Sequence, residues 1–148
     1  IEQAEQISQQ LTRILPSRQA LLEKNYQIFK KDLQSLHQEL DKNFATAPRR
    51  HFLIFHPALG HYAERYGLQQ VAIEKEGKPP SARYMAELMR SLNRTPIRYI
   101  LVEKQFSQKE AATLAAQLRA KLLVIDPLAY SYLDNMRQLS QRVKQALY

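Results

Sequence analysis

The chain has 148 residues, enough for one globular domain with a real core, and its hydrophobic fraction of 45% is ordinary for such proteins. It has no cysteine, which excludes disulfides, thiolate metal sites and cysteine nucleophiles. No apolar run approaches the roughly 20 residues that span a bilayer, and the Gln-rich start lacks a signal-peptide pattern, which a mature chain would have lost. The net charge of +8 is the compositional outlier. It suits an acidic partner or a solvated basic surface, and the spread of Lys and Arg along the chain favours the surface.

The first 47 residues predict helices, because they contain no glycine and a single proline, Pro16. We expect a short helix before Pro16 and a long one over residues 17–44, about 40 Å in length. Apolar residues of the long helix recur every three or four positions, as on one helix face: Tyr26, Phe29, Leu33, Leu36, Leu40 and Phe44. A helix of this length outruns the domain after it. It must pair with another chain, form a coiled coil or continue across a second domain outside this sequence.

From residue 50 the sequence alternates between strand and helix patterns. Predicted strands cover residues 51–55, 70–74, 98–102 and 122–125, and predicted helices cover 59–66, 81–92, 108–118 and 132–147. Gly67 is placed to end a helix in the left-handed conformation, and Ser81 to cap the next one. Repeated strand–helix units predict an α/β fold: a four-stranded, mostly parallel sheet flanked by helices and preceded by the long helix. The predicted division is a helical segment, 1–47, and an α/β domain, 48–148.

Three polar residues follow predicted strands at the edge where open α/β sheets bind ligands: His56, Glu103 and Asp126. Imidazole nitrogen and carboxylate oxygen are suitable zinc ligands, and both His56 and Asp126 precede a proline that turns the chain. Taken singly, each has a structural explanation. His56 can be a half-buried histidine bonded to backbone, and Asp126 can be a turn residue. Together at one edge they make a metal site as plausible as these explanations.

The other candidates give weaker signals. His61 lies near the same edge and can line a pocket, although surface exposure is the simpler expectation. Glu103 can orient a ligand from behind or be a solvated strand end. The sequence has no Gly-rich phosphate loop, no G-x-S-x-G elbow and no H-E-x-x-H motif, so we expect no catalytic residues.

Four segments resemble, in order and spacing, the metal-binding proteins of zinc and manganese ABC importers. Residues 55–68 resemble the pattern F-H-x-A-F-G-Y-F-A-x-x-Y-G-L, and residues 77–82 resemble G-x-E-P-S-A. Residues 102–106 resemble E-x-Q-F, and residues 125–128 resemble L-D-P-L. Two positions depart from the patterns: His61 stands where an aromatic is usual, and Pro79 replaces the usual glutamate. The chain is similar to the backbone helix plus C-terminal lobe of this periplasmic family, cluster A-I.

The resemblance implies a role for each candidate. His56 would be the imidazole ligand of this lobe, Asp126 its carboxylate ligand, and Glu103 a neighbour of the site that does not bind the metal. The family supplies two further histidines from an N-terminal lobe that this sequence lacks. The implied cargo is Zn²⁺, ahead of Mn²⁺ or Fe²⁺, because histidine at position 56 favours zinc on ligand softness. The implied partner is an ABC permease, and the implied location is periplasmic or membrane-anchored outside the cytoplasm.

The leading hypothesis is therefore a solute-binding subunit that holds a divalent metal between two lobes, one of them in this chain, without catalysis. The main alternative is a basic α/β nucleic-acid-binding domain dimerised through its long helix. Against it, the sequence shows no interleaving of aromatic and basic residues and no known reader motif. A small enzyme that uses His56 and Asp126 as base and orienting group would need a nucleophile or cofactor loop, and we find neither.

Overall fold

A computed structural model describes residues 1–74, 80–91 and 97–147. The chain divides into two compact units, residues 1–42 and 43–148. The elements in chain order are α1 (Glu2–Ile14), a 3₁₀ turn (Pro16–Arg18), α2 (Gln19–Ala45), β1 (His51–Ile54), α3 (Gly60–Arg65), β2 (Gln69–Ala72), α4 (Ala82–Ser91), β3 (Tyr99–Glu103), α5 (Gln108–Gln117), β4 (Lys121–Ile125) and α6 (Tyr132–Ala146).

The first unit consists of α1, the 3₁₀ turn and most of α2. The break predicted at Pro16 is present, because the proline opens the turn between the two helices. The apolar residues of α1 recur at helical spacing, yet α1 buries none of them. Three remain exposed along it: Ile7, Leu11 and Ile14. None of the described helices combines the length and apolar character needed to cross a bilayer.

The second unit is built on a four-stranded sheet with strand order β2-β1-β3-β4. All three strand pairs are parallel, and the register places Leu53 opposite both Val71 and Ile100. The strands are short and rich in β-branched and other apolar residues, as expected for a parallel sheet covered on both faces. The α/β fold class predicted from the sequence is confirmed.

Each face of the sheet has its own hydrophobic core, because successive residues of a strand point to opposite faces. One core joins Phe52, Ile54 and Leu101 to α3, α6 and the end of α2, where Phe44 is 1% exposed. The other joins alternate strand residues, such as Leu53, to α4 and α5. The helices therefore lie on both faces and leave the ends of the strands for polar residues.

Local sequence signals work as expected at two helix ends. Gly67 adopts a φ of 60° just after α3, a conformation that costs glycine little. The Ser81 hydroxyl accepts a hydrogen bond from the Tyr84 N–H at 3.2 Å and caps α4. Three predicted strand ends shift in the structure. Strand β1 ends at Ile54 rather than residue 55, strand β2 ends at Ala72 rather than residue 74, and Glu103 is the last residue of β3 rather than the residue after it.

Candidate metal centre

The carboxyl edge of the sheet collects the polar residues that follow the strands. His56 lies just beyond β1 and Asp126 just beyond β4, with the end of β3 between them. Backbone hydrogen bonds of 2.8 Å extend the ladder to this edge, from the Phe55 N–H to Leu101 and from the Lys104 N–H to Ile125. At the usual spacing of strands, the backbones of His56 and Asp126 lie about 10 Å apart.

The His56 imidazole is fixed by a carboxylate that the sequence analysis did not single out. Its Nδ1 lies 2.9 Å from Oε2 of Glu74, and the Glu74 side chain is only 10% exposed. Because an ionised carboxylate can only accept, Nδ1 carries the proton and Nε2 keeps its lone pair. This arrangement is the one by which proteins orient a histidine toward a metal ion.

The His56 ring also stacks on Phe106, with ring centroids 4.7 Å apart and planes inclined by 24°. Phe106 in turn lies against Phe55, with centroids 6.3 Å apart. The stack fixes the plane of the imidazole, while the contact with Glu74 fixes the direction of Nδ1 within that plane. His56 is therefore a preorganised donor.

Asp126 is held by lighter contacts. Its Oδ1 accepts hydrogen bonds from Gln105 Nε2 at 2.7 Å and from the Leu128 N–H at 3.2 Å. Its Oδ2 lies 3.8 Å from Lys104 Nζ, and its side chain remains 29% exposed. Asn135 Nδ2 donates to the Asp126 carbonyl at 2.8 Å, which ties this strand exit to α6. One carboxylate oxygen is thus occupied by hydrogen bonds, whereas the other faces the exposed Lys104 ammonium.

The loop between β3 and α5 holds both candidate ligands at once. Gln105 contacts Asp126, and the next residue, Phe106, contacts His56. The loop is itself braced by Gln108, whose Nε2 donates to the Phe106 carbonyl at 3.3 Å. The resemblance to E-x-Q-F thereby has a physical meaning, because its last two residues each position one donor.

Glu103 lies beneath this loop, with 2% of its surface exposed. Burial raises the pKa of its carboxyl group, and the electrostatic effect of the nearby His56 opposes the shift. The backbone N–H groups of Glu103 and His56 also lower this pKa, yet neither carboxyl oxygen has a partner of good hydrogen-bond geometry in the described part of the chain. The alternative of a solvated strand end is wrong, since the strand continues through Glu103 and buries its side chain.

His61 stands apart from these contacts. Its side chain is fully exposed on α3, and its Nδ1 lies 3.9 Å from Oε2 of Glu64. Of the segment that resembles G-x-E-P-S-A, residues 77–79, including Pro79, lie outside the described residues. Across the described ranges, no three His, Asp or Glu side chains come together as a metal site. His56 and Asp126 remain the two candidate ligands at the carboxyl edge.

Comparison with known proteins matches residues 1–146 to the family described as ZnuA, the periplasmic component A of the zinc-uptake complex. The chain belongs to this family. The match covers both units and every residue of the carboxyl edge described above. The family resemblance drawn from four short segments is confirmed.

Individual relatives agree with the family. The chain is 33% identical over 130 residues to the zinc-binding lipoprotein AdcA of Streptococcus pneumoniae R6, covering 86% of this chain and 26% of that protein. It is 29% identical over 162 residues to the high-affinity zinc uptake protein ZnuA of Bacillus subtilis 168, covering 99% and 50%. A crystal structure of ZnuA superposes with a TM-score of 0.89 at 31% identity, over 96% of this chain and 56% of the other. The chain thus spans about a quarter to a half of the length of these proteins.

Proposed function

We propose that this chain supplies one half of a two-lobed solute-binding protein that captures Zn²⁺ outside the cytoplasm and delivers it to an ABC permease. The observation that carries the proposal is the fixed imidazole of His56, with Nδ1 on Glu74 and its ring on Phe106, at the carboxyl edge of a ZnuA-family sheet. The chemistry is coordination, and Zn²⁺ is the cargo.

In the proposed site, His56 Nε2 and a carboxylate oxygen of Asp126 bind the ion. Zinc prefers four donors in a tetrahedron, with nitrogen and oxygen ligands at about 2.0–2.2 Å. Two donors leave the ion largely hydrated, so the remaining ones come from a second lobe outside these 148 residues. An imidazole and a carboxylate favour Zn²⁺ over Mn²⁺ and Fe²⁺ through ligand softness and the Irving–Williams order.

The proposed domain roles follow from the same argument. Residues 48–148 form the metal-binding lobe, and residues 1–47 form the backbone helix that joins it to the second lobe. The exposed apolar residues of α1, Ile7, Leu11 and Ile14, support this division. Such a stripe is typical of a surface that another part of a protein covers.

Location and partner are proposed from the relatives. The family description places its members in the periplasm, and the pneumococcal relative is called a lipoprotein. We therefore place this protein outside the cytoplasm, with an ABC permease as the recipient of its zinc. The same comparisons with zinc-uptake proteins give the nucleic-acid alternative no support.

Zinc titration calorimetry on the chain tests the proposed ligands. We expect weak binding, because only two donors are present, and Mn²⁺ should bind more weakly still. His56→Ala or Asp126→Ala should reduce Zn²⁺ binding by about 100-fold or to below detection, since either change leaves a single donor.

The matched control is His61→Ala, which removes an exposed imidazole that contacts only Glu64 among the contacts described. It should leave the zinc affinity unchanged. Equal losses in all three variants, or no loss in the first two, would contradict the proposed ligands. Tight stoichiometric binding by the unaltered chain would contradict the half-site.

A further inference from the structure

The whole net charge of the chain lies in the α/β unit. Residues 1–42 contain six basic and six acidic residues, whereas residues 43–148 contain sixteen basic and eight acidic ones. The difference in the second unit equals the +8 of the entire chain. The basic character is therefore a property of the sheet and its helices, and the helical unit is electrically balanced.

Within this unit the acidic residues gather at the carboxyl edge. Five of the eight lie at the ends of strands or in the first turns of α5 and α6: Glu74, Glu103, Asp126, Glu110 and Asp134. This edge holds the proposed zinc ligands. Negative charge there attracts a metal cation and complements the helix N-termini.

Parallel strands all begin at the opposite edge of the sheet, and several of the residues at these starts are basic. Arg50 directly precedes β1, Arg98 precedes β3, and Lys121 is the first residue of β4. The register places Arg98 next to this lysine, whose N–H donates to the Arg98 carbonyl at 2.8 Å. All three side chains are exposed. We call this set, together with Arg119, the amino-edge cluster.

Arg119 joins the cluster in an unusual backbone conformation. It lies in the turn from α5 to β4 with a φ of 53°, where glycine or asparagine would cost less. Two further cations, Arg65 and Lys144, lie in the last turns of α3 and α6, where the helix dipole accounts for them. The dipole does not account for residues at the starts of strands.

We propose that the amino-edge cluster binds the surface of an anionic lipid bilayer. The cluster covers the starts of three neighbouring strands, β1, β3 and β4, about 10 Å in a row at ordinary strand spacing, which fits several headgroups better than one small anion. Each Lys or Arg near an anionic membrane adds to the attraction, so the four cations of the cluster act together as a reversible anchor.

A bilayer fits this edge better than a nucleic acid does. In the part of the chain that the structure describes, this edge consists of strand starts and turns, with no helix or ribbon that could enter a groove. Of the residues described there, no Phe, Tyr or Trp is exposed for a base to stack on, and His51 is the one exposed aromatic ring. His56 and Asp126 lie at the opposite edge of the sheet, so this binding does not use the proposed zinc ligands. The inference goes beyond the proposed zinc role and would stand without it.

Sedimentation with lipid vesicles tests the proposal on the 148-residue chain. Vesicles that contain phosphatidylglycerol should bind the chain at low salt, and phosphatidylcholine vesicles should not. The variant Arg98→Gln/Arg119→Asn/Lys121→Gln should lower the partition coefficient by about tenfold or more, from the loss of three cations. The double variant Arg98→Gln/Lys121→Gln avoids the turn residue, should the triple variant fold poorly.

The matched control, Arg83→Gln/Lys109→Gln/Arg137→Gln, removes three cations from the first turns of α4 and α5 and the second turn of α6, toward the other edge. It should keep most of the vesicle binding. Equal loss in both variants would show an effect of net charge alone and overturn the proposal. So would absence of vesicle binding, or binding to duplex DNA that exceeds vesicle binding and depends on the same cluster.

Discussion

The two proposed zinc ligands lie two strands apart at one sheet edge and are held in different ways. His56 is clamped by the buried carboxylate of Glu74 and the ring of Phe106. Asp126 is 29% exposed and is held by the Gln105 amide and a backbone N–H, with the Lys104 ammonium nearby. The imidazole is therefore fixed in tautomer and direction, whereas the carboxylate can adjust to the ion. A site that closes between two lobes benefits from one rigid donor and one adaptable donor.

Of these changes, the largest loss of zinc affinity should come from removing the carboxylate that fixes His56. Glu74→Leu removes the acceptor of the His56 Nδ1 proton, so the zinc affinity should fall by about 10- to 100-fold. Glu74→Gln keeps an oxygen acceptor in place and should recover most of the affinity. Calorimetry measures both variants, and nitrogen NMR of the imidazole reports the tautomer of His56.

A control for Glu74 is Glu87→Leu, which removes a carboxylate from an exposed ion pair with Arg83. It should change neither the affinity nor the imidazole spectrum. A Glu74→Leu variant that binds zinc normally and retains the Nδ1–H tautomer would show that the orientation of His56 does not depend on this carboxylate.

A smaller loss of zinc affinity should follow from removing a contact that holds Asp126. Gln105→Leu removes the 2.7 Å hydrogen bond to Asp126 Oδ1, which is worth about 1 kcal/mol, or roughly fivefold in zinc affinity. Gln117→Leu, at the exposed end of α5, is the matched control in the same titration. If Gln105→Leu weakened zinc binding as strongly as Glu74→Leu, Asp126 would depend on its contacts as much as His56 does. The contrast between a rigid and an adaptable ligand would then be wrong.

The smallest effect should have the opposite sign. Lys104 lies 3.8 Å from Asp126 Oδ2 and is 72% exposed, so its repulsion of a bound cation is largely screened by solvent. Lys104→Gln should raise the zinc affinity by less than about fivefold, and added salt should reduce the gain. A decrease in affinity on this substitution would mean that Lys104 supports the carboxylate instead of competing with the metal.

The residues that follow the strands explain why the sequence predicted His56 and Asp126 and why it missed Glu74. His56 and Asp126 follow apolar runs and precede prolines, so topology alone placed them at one edge. Glu74 follows β2 in the same way, but the sequence analysis included it in the strand, which ends at Ala72. Applied to all four strand exits, the same rule would have found it. That rule would have placed Glu74 at the carboxyl edge, but it would not have paired Glu74 with His56. The two residues lie 18 positions apart in sequence and meet only because β1 and β2 are neighbours in the sheet.

The sequence by itself determined the strand–helix alternation, the parallel sheet and the family, because periodicity, glycine and proline positions and four short motifs are local features of the chain. Only the tertiary structure decided which contacts fix the donors: Glu74 behind His56, and Gln105 and Phe106 of one loop on opposite ligands. It also showed that four exposed cations gather at the amino edge and five acidic residues at the carboxyl edge. The physical reason is that parallel pairing brings all strand ends to one side and all strand starts to the other.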